Sequence, residues 1–278
     1  MVGRRRGPAL LLYGGLTILS LVWLVPVAGV LVTSARPLSQ VRNGWWHLTG
    51  ASFTLRNYAA AWQQGLSGYV ANSFAIAALS VLLTVGGGML AAYALARLSF
   101  RGRQATYFLL VTTMIVPVQI ILIPLLPWFR TLGLNAGHWQ YLGIGLVHTA
   151  FGAGLAVFML TPFLADIPRE IVDAARVDGA GHLDVFRRVI LPLAVPALVS
   201  FAIVDFVFVW NDLLLALTLL GRDAQPLTVG LANLQSPHLA QEDVVSAGSI
   251  MAILPPLLLF VALNRLYVRG LFAGSVKA

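Results

Sequence analysis

The 278-residue chain has no cysteine, a single lysine, and charged side chains at only 10% of its positions. The missing cysteines exclude disulfides, thiol nucleophiles and cysteine-ligated iron–sulfur clusters, and they leave the compartment open. The one lysine, Lys277, stands in "SVKA". A phosphate-cradling loop of the form G-x-x-x-x-G-K-[ST] therefore has no lysine to use, and the chain has no nucleotide-hydrolysing machinery of that kind. No G-x-S-x-G nucleophile elbow occurs either. His47, His138, His148, His182 and His238 are scattered, and no two share a helix face at the spacing of a zinc protease. The sequence thus offers no catalytic residue, no metal site and no cofactor site.

What is present points to lipid. Hydrophobic residues make up 59% of the chain, against about 45–50% in soluble domains. A net charge of +8 would suggest nucleic acid in a soluble protein. Here the basic residues flank apolar runs and form no patch, so they read as topology signals for a bilayer, with no nucleic acid expected. A membrane helix needs roughly 20 apolar residues, and six stretches qualify: 9–32, 72–97, 107–128, 141–160, 193–220 and 245–263. The first exceeds the apolar core of a cleaved signal peptide, so a retained helix is expected. Pro117, Pro124 and Pro127 in the third span predict kinks, which suit either a pathway lining or a packing bend. Asp205, Asn211 and Asp212 interrupt the fifth.

The expected fold is an all-α polytopic membrane protein. It has one transmembrane domain over 9–267, a polar loop at 166–192 inside it, and a tail at 268–278. Six spans put both termini on one side. The termini, the turn near Arg97 and the 166–192 loop hold thirteen of the basic residues, and the opposite loops hold Arg36, Arg42, Arg56, Arg130 and Arg222. The positive-inside bias places the termini and the loop in the cytoplasm.

That loop is the chemically distinctive stretch. "EIVDAARVDGAGHLDVFRRVILP" carries four acids, three arginines and a histidine. Asp166 and Pro168 open a short helix, and Gly179 and Gly181 stop it. Ile171, Ala174 and Ala175 share one side at helical spacing, while Glu170, Asp173 and Arg176 point elsewhere. A second amphipathic piece carries Phe186, Val189 and Ile190, and Pro192 marks the start of the fifth span. So short a helix is marginal in water and needs a surface to pack on. The alternatives are the bilayer surface and a partner subunit.

The segment "DAARVDGAGHLDVFRRVILP" resembles the EAA loop of ABC importer permeases: E-A-A, three residues, Gly, nine residues, then I-x-L-P. Asp173, Ala174, Ala175, Gly179, Leu191 and Pro192 fall at the matching positions. Asp173 replaces the first Glu, and Val189 replaces the Ile. "FTLRNY", "NSFAIA", "AAYALARLSFRGR", "VWNDLLLALTLL", "PLTVGL", "LPPLLLF" and "YVRGLFAGSVKA" are similar to the MalG-like permeases of carbohydrate importers. "SARPLSQVRNGWW" looks similar to α-glucoside permeases.

The resemblance implies a type I ABC importer permease fold in the cell inner membrane. It implies an ATPase subunit dimer that binds ATP-Mg, a second, MalF-like permease, and an extracytoplasmic sugar-binding protein. In it the loop is the ATPase-coupling helix. Glu170, Asp173 and Asp178 offer carboxylates there, and Ala174, Ala175, Gly179, Ala180 and Pro192 shape the close fit. The cargo implied is an oligosaccharide or glycoside. Other classes stay open: an ion-coupled secondary carrier, an ABC permease for a non-sugar solute such as a glycerol phosphodiester, or a membrane anchor without transport. Asp205, an acid inside an apolar span, is a candidate for the substrate path, with Asn211 and the stacking face of Trp210 beside it. The rival role for Asp205 is a hydrogen bond to a neighbouring helix or to the partner subunit.

Overall fold

The computed structural model describes the backbone of residues 6–234 and 241–273, with side chains over 11–234 and 241–265. Arg4, Arg5, His238, Lys277 and the end of the tail, 274–278, lie outside the described residues. Among the described residues there are helices and no strands. In chain order they are α1 (Arg6–Ser34), α2 (Leu38–Val41), α3 (Arg56–Ala61), α4 (Ser67–Arg97), α5 (Arg103–Thr112), α6 (Val118–Thr131), α7 (Trp139–Asp166), α8 (Arg169–Val177), α9 (His182–Asp184), α10 (Leu191–Trp210), α11 (Leu214–Leu219), α12 (Leu227–Leu234) and α13 (Glu242–Ala273). π-helical turns at Trp62–Leu66 and Val185–Ile190 join α3 to α4 and α9 to α10.

Five stretches are long and apolar enough to cross a membrane as single helices: Leu11–Ser34, Arg56–Arg97, Trp139–Asp166, His182–Trp210 and Glu242–Arg265. The stretch expected at 107–128 is broken. Arg103–Ile115 and Val118–Thr131 meet at 98°, so six spans result only when this bent pair counts as one. The cause is local. A residue before proline is pushed out of the α region, and Val116, before Pro117, takes φ −74° and ψ 118°. Pro124 and Pro127, by contrast, lie inside α6 without breaking it.

Two other expectations shift. The piece after Gly181 is not a separate amphipathic helix. His182–Trp210 is one rod, with a wide turn at Val185–Ile190 and Pro192 in the first turn of α10. Proline has no N–H to give the previous turn, and a π turn is one way a helix absorbs that loss. Asp166 is the last residue of α7, and Pro168, where Asp166 was expected, holds the N-cap position of α8.

The chain forms two compact units, residues 1–67 with 230–254, and 68–229 with 255–278. In the first, Arg36 is buried and organises its loop. Its Nη1 donates to Trp45 O at 3.1 Å, and Asn57 Nδ2 donates to Ser34 O at 3.0 Å and Arg36 O at 2.8 Å. Trp45 packs on Gly29, whereas Trp46 stays exposed.

The second unit holds the main core. Met89 and Ala92 of α4, Ala156, Leu160 and Leu164 of α7, Val185 and Ile190 of the π turn, and Ala194 and Phe201 of α10 bury one another. Gly88 lets α4 and α7 come close: a Cβ there would lie 2.3 Å from Ala156 Cβ.

Candidate functional site

Two polar clusters stand out in the second unit, one exposed and one buried. The exposed one is α8. Its amphipathic sequence turns Val172 and Ala175 toward the core, together with Ala180 beyond the helix. This corrects the expected grouping: Ile171 and Ala174 do not share the inward side with Ala175, since both are exposed. The outward surface therefore mixes acids with small and apolar groups. Glu170, Asp173, Ala174 and Asp178 are exposed, as are Ile171 at 43% and Val177 at 87%.

The end of α8 is a Schellman motif. Ala180 N donates to Ala175 O at 2.9 Å and Gly179 N to Arg176 O at 3.0 Å. Gly179 sits at φ +87°, where a side chain is strained, and faces open space. Arg97, at the end of α4, donates through Nη2 to the carbonyls of Leu164 and Ile167. It thereby satisfies the last turn of α7 and fixes the joint from which α8 departs. Pro192 is exposed, in the first turn of α10.

The buried cluster lines a cavity of about 320 Å³. Asp205 on α10 is 3% exposed. Thr84 holds it with a side-chain hydrogen bond, and its Oδ2 has no hydrogen-bond partner among the described residues. His148 on α7 is also buried. Its Nδ1 is 3.1 Å from Ser80 Oγ of α4, and its Nε2 stands 3.5 Å from Asp212 Oδ2 without a hydrogen bond.

Asp212 has a clear structural task. Its carboxylate accepts from the N–H groups of Leu215 at 3.2 Å and Ala216 at 3.1 Å, capping α11 where α10 stops. Gly152 makes room for the cluster, because a Cβ there would lie 2.6 Å from Thr84 Cγ2 and 2.9 Å from Asp205 Oδ1. The remaining wall is apolar. Phe151, Leu155, Phe208 and Leu215 contribute, and the break at Pro117 adds Thr113, Met114, Val116 and Val118.

Of the three residues expected on a substrate path, the structure brings only Asp205 to this cavity. Trp210 is buried between rings, 5.4 Å from Phe206 and 4.9 Å from Phe74. Asn211 is exposed, donates to Val207 O at 2.8 Å, and borders a separate apolar pocket with Ile203 and Phe260. In the sequence His148 is one of five scattered histidines. Only its position on α7, facing α4 and α10, gives it a role, and nothing in its local sequence signals that.

Comparison with known proteins adds the following. A family model described as "Binding-protein-dependent transport system inner membrane component" matches residues 84–272. The osmoprotective compounds uptake permease protein GgtD of Synechocystis sp. is 38% identical over 94% of this chain and 89% of its own length. The alpha-glucoside transport system permease protein AglG of Rhizobium meliloti is 42% identical over 82% of this chain and 62% of its own. The trehalose transport system permease protein SugB of Mycobacterium tuberculosis is 34% identical over 91% and 92%. A chain of a bacterial ABC transporter that imports the acidic polysaccharide alginate has the same fold. It aligns with a TM-score of 0.78 at 23% identity, covering 95% of this chain and 98% of that one.

Proposed function

Since the chain belongs to the family of binding-protein-dependent transport system inner membrane components and passes the membrane several times, we propose that it is one permease subunit of an ATP-driven importer for a neutral oligosaccharide or glycoside. The cargo class draws on relatives named for α-glucosides and trehalose. The observation that carries the mechanism is the outward surface of α8. In a chain without a nucleotide loop, an ordered helix presents Glu170, Asp173 and Asp178 around exposed Ile171, Ala174 and Val177. An ATPase subunit with basic groups around an apolar groove fits that surface.

In this reading ATP-Mg stays on the ATPase pair, and a second permease completes the path. An extracytoplasmic binding protein delivers the sugar. Closure of the ATPase pair pushes α8, and the packing of Val172, Ala175 and Ala180 into the core passes the push to α4, α7 and α10. The bent pair crosses as one broken span, which keeps the termini and residues 166–192 in the cytoplasm, in line with the distribution of arginines. Residues 9–267 then act as a single transmembrane permease domain.

Gly179→Asp tests the proposal in the reconstituted complex, with trehalose, melibiose and raffinose as probes. Aspartate tolerates the left-handed conformation, so the helix end survives while charge and bulk arrive at the contact. Uptake and stimulated ATP hydrolysis should both fall while the complex still reaches the membrane. Normal uptake in this variant, or wild-type uptake that follows an ion gradient and ignores ATP, would overturn the reading.

A further inference from the structure

We propose that the cavity around Asp205 is a subsite for one uncharged, hydroxyl-rich glycosyl ring, with Asp205 Oδ2 as its fixed acceptor. This rests on the sugar-permease reading and adds a place and a charge preference to it. The first argument is the unmatched oxygen. A carboxylate inside an apolar span is costly, and its oxygens are normally paired. Thr84 and the glycine gap at Gly152 hold Asp205 in place, yet Oδ2 has no partner among the described residues. Its missing donor is a group that arrives, and a sugar hydroxyl is such a donor.

The second argument is the wall. Phe151, Phe208, Met114 and Leu155 surround the acid with apolar and aromatic surface. A pyranose ring offers a C–H face to such surface and hydroxyls to a carboxylate. The volume sits at the small end of ligand pockets, which suits one ring of a longer solute.

The third argument is charge. Among the described residues no lysine or arginine lines the cavity, while the carboxyl groups of Asp205 and Asp212 and the imidazole of His148 do. A uronic-acid ring would set its carboxylate against the two carboxyl groups, so the site selects against acidic sugars. At 1.5 Å per residue, the helix from Leu191 to Asp205 rises about 21 Å. The cavity therefore lies toward the membrane face opposite α8, the side from which cargo comes.

The natural absence of cysteine makes a direct test available. Met114→Cys, on the cavity wall, and Leu132→Cys, exposed at the end of α6, are made separately in the complete complex with its binding protein. A water-soluble maleimide then labels this chain at one position. Saturating levels of whichever of trehalose, melibiose or raffinose the wild type imports should slow labelling of Met114→Cys at least threefold and leave Leu132→Cys unchanged. Digalacturonate should protect neither.

In proteoliposomes, Asp205→Asn should lower sugar moved per ATP hydrolysed at least tenfold while stimulated hydrolysis continues. The subsite is overturned if Met114→Cys is unprotected, if digalacturonate protects it equally, or if Asp205→Asn keeps the wild-type ratio. It is also overturned if hydrolysis and uptake fall in step, since that marks a structural residue. If Asp205→Asn fails to assemble, the labelling result decides alone. A wild-type complex that hydrolyses ATP with its binding protein and imports none of the three sugars would sink the sugar reading itself. Import without cavity protection sinks only the subsite.

Discussion

Two of the chain's polar clusters, α8 and the surroundings of Asp205, are built in opposite ways. On α8 and its C-cap the acids, Glu170, Asp173 and Asp178, come from one short stretch of sequence, lie in the open, and stand among exposed apolar groups. Around Asp205 the polar groups come from three elements, Ser80 and Thr84 on α4, His148 on α7 and Asp212 after α10, and Asp205 and His148 are buried while Asp212 is partly so. An exposed acid costs nothing until a partner arrives. A buried one must be satisfied at once or held for something that will satisfy it. Under the proposed function, α8 serves a macromolecular contact and the cavity a small one. The contrast also predicts that damage at the two places will look different: the first should disconnect hydrolysis from the complex, and the second should leave hydrolysis running without cargo.

The largest effect is expected from Arg97→Met. Its hydrogen bonds to two carbonyls at the end of α7 hold the base of α8, and such charge-assisted bonds contribute about 1.5–3 kcal/mol. Stimulated hydrolysis should drop by about tenfold or more, with a lower melting temperature of the complex; an unchanged rate would detach the joint from coupling. Gly152→Leu should come next. Overpacking costs about 1–3 kcal/mol, and here it would displace Asp205 and Thr84. Uptake should fall about five- to a hundredfold while the stimulated ATPase rate holds, and a parallel fall in both would blur the contrast.

Gly179→Val against Gly179→Asn is a finer probe. A left-handed conformation costs an ordinary residue about 1–2 kcal/mol and is tolerated by asparagine. Both add bulk at the contact, but stimulated hydrolysis should fall about tenfold further for valine than for asparagine, which keeps the helix end. The smallest effect belongs to Glu170→Gln with Asp173→Asn. Exposed charges contribute little, so affinity for the ATPase subunit should weaken only a few-fold. High salt should reproduce that loss in the unmodified chain, because exposed pairs are screened.

What could be read from the sequence follows the same division. The α8 segment was legible because its signals are local: the acid pattern, the alanine pair, and a glycine at the helix stop. The apolar spans were legible for the same reason. Boundaries failed where backbone chemistry overrode hydropathy. Pro117 turned one apolar run into two helices at 98°, and the π turn at Val185–Ile190 carried an expected loop helix into α10 in spite of Pro192. Helical phase failed on α8 itself. Hydropathy grouped Ile171 with Ala175, yet packing chose Val172 and Ala175 and left Ile171 outside. Asp205 was legible as an isolated acid in a greasy run. His148 was not, because its meaning lies in Ser80 and Asp212, far away along the chain. Trp210 and Asn211 stand near Asp205 in sequence, but positions five and six further along a helix point in other directions.

The rod His182–Trp210 has one further consequence. It runs unbroken from the flank of α8 to the cavity, so its two ends belong to a single lever. Binding free energies linked through such a body are reciprocal. If, as proposed, an ATPase tilts this body to loosen the grip on a sugar, the sugar must resist with equal thermodynamic weight. An occupied cavity should therefore be felt as a change in how tightly the engine holds its nucleotide.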